Sequence, residues 1–153
     1  IPDGAFRNPM TVEQIQNQIV RMPLTGVVMD GSTVFNFAQK EVPILVDSLT
    51  KMAETTKEDI DWFLFHQPNK FMLQKLAERI GVPFEKMPMD IVEKFGNSNS
   101  ATIPTAITAD LKEEMLNKES LCCLAGFGAG VAWAGIIMKM GNMDFCDTII
   151  SDL

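Results

Sequence analysis

Residues 121–138 carry no charged side chain, and this stretch narrows the possible folds more than any other part of the chain. By length alone it could cross a bilayer as one helix. Gly126, Gly128, Gly130 and Gly135 argue against a helix, because glycine weakens a helix interior and suits turns. Two short buried strands, residues 121–125 and 131–139, joined by a glycine turn account for the same apolarity without a membrane. Strands with no polar alternation need cover on both faces, so helices are expected on either side.

The rest of the chain supplies them. Thr11 and Gln14 have capping-box spacing for a short helix carrying Val12, Ile15 and Ile19, and residues 24–30 read as a strand. From Phe35 onward, Ala38, Val42, Leu45, Leu49 and Met52 recur at helical spacing, with Pro43 marking a kink or a late start. Trp62-Phe63-Leu64-Phe65 is a wholly apolar run after the turn-like Lys57-Glu58-Asp59, as a strand covered on both faces requires. Pro68 near its start and Gly81 just past its end bracket a second helix, with Met72, Leu73, Leu76, Ala77 and Ile80 inward. A strand over residues 89–92, a polar turn over 96–100 and a helix with Ile103, Ile107, Leu111 and Met115 on one stripe complete the pattern. Alternating strands and helices imply an α/β layered sheet in one domain over residues 11–140, with 1–10 a linker remnant and 141–153 a tail of unassigned role.

Charge and cysteine content remove several function classes. A formal charge of −7 argues against a general nucleic-acid binder, since phosphate contacts need concentrated Lys and Arg. Cys122, Cys123 and Cys146 are odd in number and two are adjacent, which suits neither a disulfide framework nor a zinc site, so a reducing cytoplasm is expected and no metal. The first ten residues have no basic segment followed by an apolar one, so no signal peptide is read there, and the start at Ile1 reads as a cut.

Three features could carry chemistry. His66, the only histidine, falls where a buried strand ends, the side of an α/β sheet on which ligands bind, although taken alone a satisfied structural histidine is the better explanation. Asn97, in Gly96-Asn97-Ser98-Asn99-Ser100, sits behind a glycine, so its amide could project into a cleft as a donor; a helix N-cap at Asn99 or Ser100 is the plainer explanation of that turn. Gly126-Phe127-Gly128-Ala129-Gly130 lets backbone N–H groups approach a ligand as an oxyanion hole requires, or simply makes a tight hairpin.

Together these motifs resemble the β-ketoacyl-acyl-carrier-protein synthase III family of condensing enzymes. The resemblance rests on His66-Gln67-Pro68-Asn69 at a strand end, Gly96-Asn97-Ser98 further on, and the Gly126–Gly130 turn before a strand containing Trp133. Residues 29–38, Met29-Asp30-Gly31-Ser32-Thr33-Val34-Phe35-Asn36-Phe37-Ala38, also resemble the family's passage from a strand into a long helix. The resemblance covers nearly the whole chain and implies a thiolase-like fold, here one half of a duplicated architecture with a mixed β-sheet covered by helices.

The resemblance further implies a Cys-His-Asn active site with its nucleophilic cysteine in an absent N-terminal half, since Cys122 and Cys123 fall inside a strand and Cys146 in the tail. An acyl group would pass from a coenzyme A thioester to that cysteine, and malonyl-acyl carrier protein would lose carbon dioxide to give the attacking enolate. His66 and Asn97 would be the catalytic donors to that enolate. Asn69, Ser32, Phe35, Phe127, Ala129 and Gly130 would bind substrate, with the Ala129 N–H helping to hold the tetrahedral intermediate. Pro68 and Ser32 stand where the family commonly has alanine and asparagine, and Ala129 where it often has glycine. Lys70, Lys75 and Arg79 would dock the acidic carrier protein, on a helix where Phe71 and Glu78 replace common basic residues. No cofactor is expected beyond the pantetheine that both substrates carry, and a homodimer is expected, with the isolated half inert. An acyltransferase of specialised metabolism and a non-catalytic carrier-binding partner are the alternatives.

Overall fold

The apolar run after Lys57-Glu58-Asp59 forms β1, Trp62–Phe65. It lies within the residues that the computed structural model describes, which are 30–128 and 131–149 with Val12, Glu13 and Gln16 apart. The expected capping box at Thr11 and Gln14, the strand over 24–29, and Ala129 and Gly130 lie outside the described residues. β1 pairs in parallel with β2, Glu119–Gly128, and β2 pairs antiparallel with β3, Ala132–Gly141, giving the sheet order β1-β2-β3 among the described residues. The sheet is therefore mixed, and the α/β class and thiolase-like layering expected from the sequence hold.

Among the described residues from 30 onward, five α-helices accompany it: α1 (Gly31–Met52), α2 (Lys70–Ile80), α3 (Ile91–Phe95), α4 (Thr102–Asp110) and α5 (Lys112–Asn117). Neighbouring strand residues face opposite ways, and the core divides accordingly. Phe63, Phe65, Cys123, Ala125 and Phe127 pack with Ala38, Val42 and Val46 of α1 and Met72, Leu73 and Leu76 of α2. Leu64 and Cys122 pack on the other side with Ile107 of α4, Met115 of α5 and Leu111 between them. Phe63, Leu64 and Phe65 are all fully buried, each side chain contributing about 1.5–3 kcal/mol of apolar transfer free energy. A strand with helices on both faces has no use for a polar residue, which is why this run lacks alternation.

Caps set the helix limits. Asp30 Oδ1 accepts from the N–H groups of Ser32 at 3.0 Å and Thr33 at 3.1 Å, so α1 begins at Gly31, ahead of the periodic apolar residues. The hydroxyls of Ser32 and Thr33 hydrogen-bond the same carboxylate and hold its pKa down to about 2. Pro43 lies inside α1, which continues through it. α2 is capped by Asn69, whose Oδ1 accepts from the Met72 N–H at 2.8 Å; Pro68 precedes the cap rather than starting the helix. Gly81 ends it at φ +80, in the left-handed conformation that glycine reaches without strain. The inward residues are the five that the spacing gives.

Two of the expected elements take another form. Residues 89–92 form no strand: α3 begins at Ile91, and Met87, Met89 and Ile91 are buried in alternation leading into it. Pro88 has no N–H to offer a ladder, and its carbonyl accepts instead from Gln67 Nε2 at 2.8 Å. The single helix expected through residues 103–115 is two helices, broken at Leu111 with φ −120. A stripe repeating every four residues drifts about 40° per step on a 3.6-residue helix, so it stays on the sheet only if the helix breaks.

The uncharged stretch is β2 followed by β3, both longer than the short strands expected. β3 is not buried as expected, since it is the last strand of the sheet among the described residues and leaves Trp133, Ile136 and Met138 exposed. No helix among the described residues is long and apolar enough to cross a membrane. Beyond β3 the chain folds back onto the second layer. The Met143 N–H donates to the Met115 carbonyl at 2.9 Å, Cys146 is buried, and Lys112 pairs with Asp147 at 2.9 Å. At the turn into this return, Gly141 holds φ +129, and a Cβ there would overlap the Lys118 carbonyl oxygen.

Candidate active site

The His66 N–H donates to the Ala125 carbonyl at 2.8 Å, which continues the β1–β2 ladder by one rung past the end of β1. The fully buried Gln67 side chain fixes the strand exit, donating to the Phe65 carbonyl at 3.1 Å and the Pro88 carbonyl at 2.8 Å. The imidazole is therefore carried on backbone that is tied on both sides, at the carboxyl end of a central layer.

A second segment meets it from the loop before α4. Gly96 turns the chain at φ +69, and Asn99 takes φ +52, a left-handed conformation that asparagine tolerates better than most residues. Asn97 Oδ1 accepts from the Asn99 N–H at 3.0 Å. A backbone N–H can pair only with the oxygen end of an amide, so this bond fixes the orientation of Asn97 and leaves its NH₂ as the free end, without a partner among the described residues. The Asn99 carbonyl accepts from the Thr102 hydroxyl at 2.8 Å, and Thr102 Oγ1 lies 2.8 Å from His66 Nδ1. Phe127, from β2, meets the imidazole edge-on with 5.6 Å between ring centres.

These groups share one cavity of about 590 Å³, whose wall includes His66, Asn69, Asn97, Phe127, Met72 and Ile103. The wall is mostly apolar with a few converging polar groups, the usual make-up of a small-molecule site. Burial pushes the His66 pKa below 6.5, and the nearby Asn99 carbonyl offsets part of that push. His66 is thus mainly neutral at pH 7. An imidazole and the free NH₂ of the exposed Asn97 on the wall of one mostly apolar cavity suit recognition of a carbonyl oxygen that gains negative charge.

The other sequence candidates fall in different places. Asn69 lines the cavity while capping α2. Ser32 is exposed and bonded to Asp30, and the half-buried Phe35 stacks on Phe71 at 5.9 Å; the cavity wall takes their neighbours Gly31 and Val34 instead. On α2, Lys70 pairs with Asp90 at 2.6 Å and Glu93 at 3.6 Å, Lys75 pairs with Glu78 at 2.7 Å, and Arg79 sits in the last turn. Sequence reasoning missed Thr102. Its place in the first turn of a helix explains the bond to Asn99, but its contact with His66 arises from packing across the sheet and leaves no local signal.

The cysteines are unsuited to act as nucleophiles. Burial pushes the Cys122 thiol up to about 11 and the Cys123 thiol up to about 12, and Cys146 is also raised by burial. Iodoacetamide at pH 8 should leave Cys122 and Cys123 unmodified in the native protein while denaturant exposes them, as mass spectrometry would read. Rapid native alkylation of either would show that β2 does not hold them as described.

Comparison with known proteins matches this geometry to one family. Residues 50–140 match the family model described as 3-oxoacyl-[acyl-carrier-protein] synthase III C terminal. A β-ketoacyl-[acyl-carrier-protein] synthase III from Prochlorococcus marinus (strain MIT 9215) is 35% identical over 115 residues, covering 75% of this chain and 34% of that protein. The enzyme of the same name from Synechocystis is 34% identical over 131 residues, covering 86% of this chain and 38% of its own length. The crystal structure of a 3-oxoacyl-(acyl-carrier protein) synthase from Burkholderia xenovorans LB400 superposes with a TM-score of 0.82 at 34% identity, covering 97% of this chain and 42% of that one. The chain thus spans little more than a third of the length of the curated relatives it matches.

Proposed function

This chain belongs to the 3-oxoacyl-[acyl-carrier-protein] synthase III family, matching its C-terminal part, and from that premise we propose that it supplies one wall of a decarboxylating condensing site. In the proposed reaction an acyl group moves from coenzyme A to a cysteine in the part of the protein that precedes this chain. Malonyl-carrier protein then binds, loses carbon dioxide and attacks the acyl group as an enolate. Asn97, and His66 once its Nε2 carries a proton, would be the donors to the thioester oxygen as it takes up charge, each such donor being worth about 3 kcal/mol. The single observation that carries this reading is the convergence of His66 with an amide whose oxygen is already engaged on one apolar cavity.

The remaining roles follow from the same proposal. Asn69 would meet the pantetheine arm at the cavity wall, with Ser32 and Phe35 further along α1, and Phe127 would shield the imidazole from water. Ala129 would offer its backbone N–H to the tetrahedral intermediate beside that of the cysteine, and Gly130 would adjoin it in the substrate site. Lys70, Lys75 and Arg79 would meet the acidic carrier protein. Exposed ion pairs such as Lys70–Asp90 are worth only about 0–1 kcal/mol, so these cations can exchange partners at little cost. A homodimer in the cytoplasm completes the proposal; Trp133, Ile136 and Met138 on β3 are exposed apolar side chains that a partner surface would cover.

The test is Asn97→Ala in the complete protein. Cysteine acylation by acyl-coenzyme A should survive, while carbon dioxide release from malonyl-carrier protein falls by about 10²–10³-fold. An unchanged condensation rate would sink the assignment.

A further inference from the structure

We infer that Thr102 is a positioning residue that fixes the tautomer of His66, holding the proton on Nδ1 and leaving the Nε2 lone pair for the cavity. Thr102 is 1% exposed, and three groups surround its hydroxyl: the Asn99 carbonyl at 2.8 Å, the Gln67 N–H at 3.3 Å and His66 Nδ1 at 2.8 Å. A hydroxyl has one hydrogen and two acceptor sites. The carbonyl can only accept, so it takes the hydrogen; the backbone N–H can only donate, so it takes one acceptor site. The site left over faces Nδ1, which must therefore donate. The alternative, with the hydroxyl hydrogen turned onto Nδ1, leaves the Asn99 carbonyl without that donor and sets two acceptors, Nδ1 and the carbonyl, against a single hydrogen.

This deepens the proposed function and rests on it for its catalytic meaning. Asn97 presents N–H groups at all times, because its oxygen is engaged by Asn99. His66, neutral and protonated on Nδ1, presents an acceptor at Nε2 and becomes a donor to an oxyanion only when Nε2 also gains a proton. The two residues are then unequal partners: one is a permanent donor, the other a proton acceptor in the resting site.

The test is ¹⁵N NMR of the histidine rings in the complete, substrate-free protein, with the His66 signals identified by their loss in His66→Gln. The wild type and Thr102→Ser, which keeps the hydroxyl, should show the Nδ1–H pattern. Thr102→Val, which keeps the shape and removes the acceptor, should lose it in favour of Nε2–H. An Nε2–H pattern in the wild type overturns the inference, and so does an Nδ1–H pattern that persists in Thr102→Val. Should the valine variant fail to fold, the wild-type spectrum still decides. Because no turnover is involved, a failure here leaves the condensation reading standing, and a failure of the Asn97→Ala assay leaves the tautomer result intact.

Discussion

Asn97→Asp in the complete protein should lose malonyl decarboxylation by about 10⁴-fold or more, a deeper loss than Asn97→Ala, without loosening the loop that carries it. Aspartate keeps an oxygen for the Asn99 N–H, the bond that shapes the turn after Gly96. What changes is the other end, where a carboxylate oxygen replaces the NH₂. Losing the donor removes about 3 kcal/mol. A second negative charge about 4 Å from a forming enolate adds repulsion of about 4 kcal/mol at the effective dielectric of a protein surface. Release of labelled carbon dioxide from malonyl-carrier protein reads the loss, and mass spectrometry of the acylated cysteine reads the step that should persist. An aspartate variant that decarboxylates within about ten-fold of wild type would mean that Asn97 does not face the charge.

Gly141→Ala should be the most damaging single methyl added to the described part of this chain. At φ +129 an L side chain is strained whatever the space around it, and here there is none. The added Cβ would overlap the Lys118 carbonyl oxygen and lie 2.8 Å from its carbon. Lys118 cannot yield easily, because its N–H donates to the Glu114 carbonyl at 3.1 Å and its carbonyl accepts from the Asn142 N–H at 3.3 Å. Relief requires separating the start of β2 from the end of β3, and we expect a loss of about 4 kcal/mol, or roughly 10 °C in melting temperature for a chain of this size. Gly31→Ala is the matched control, since a Cβ there meets nothing within 4 Å and α1 begins at that residue. Thermal denaturation followed by circular dichroism compares them; equal melting temperatures would show that the turn at Gly141 can relax.

The layered architecture was legible because its signals are local and periodic. The unbroken apolarity of Trp62–Phe65, the inward residues of α2 and the Gly81 stop are each set by neighbours in sequence. Residues 89–92 misled because alternate burial at Met87, Met89 and Ile91 is also what a packed connection shows, and the competitor for their hydrogen bonds is the side chain of Gln67, distant in sequence. The helix break at Leu111 was written in the four-residue repeat, which an unbroken helix cannot keep on one face.

For the candidate site the division is similar. His66, Asn97 and Phe127 could be picked out by type and by their order along the chain, and one cavity brings them together. The use of Asn69 as a cap was equally local in origin and overlooked in favour of Pro68. Thr102 was out of reach, since its meaning depends on where α4 crosses the end of β1.

The rung between the His66 N–H and the Ala125 carbonyl makes the sheet a ruler for the chemistry. β1 and β2 are aligned residue by residue, Phe65 opposite Ala125, so His66 and Phe127 stand in a fixed offset that no loop has to maintain. Because side chains alternate across a strand, sliding β1 by a single residue would carry the imidazole to the opposite face, away from Asn97 altogether. Misalignment here is all-or-none: the same buried phenylalanines that hold the strand in place also forbid a nearly correct site.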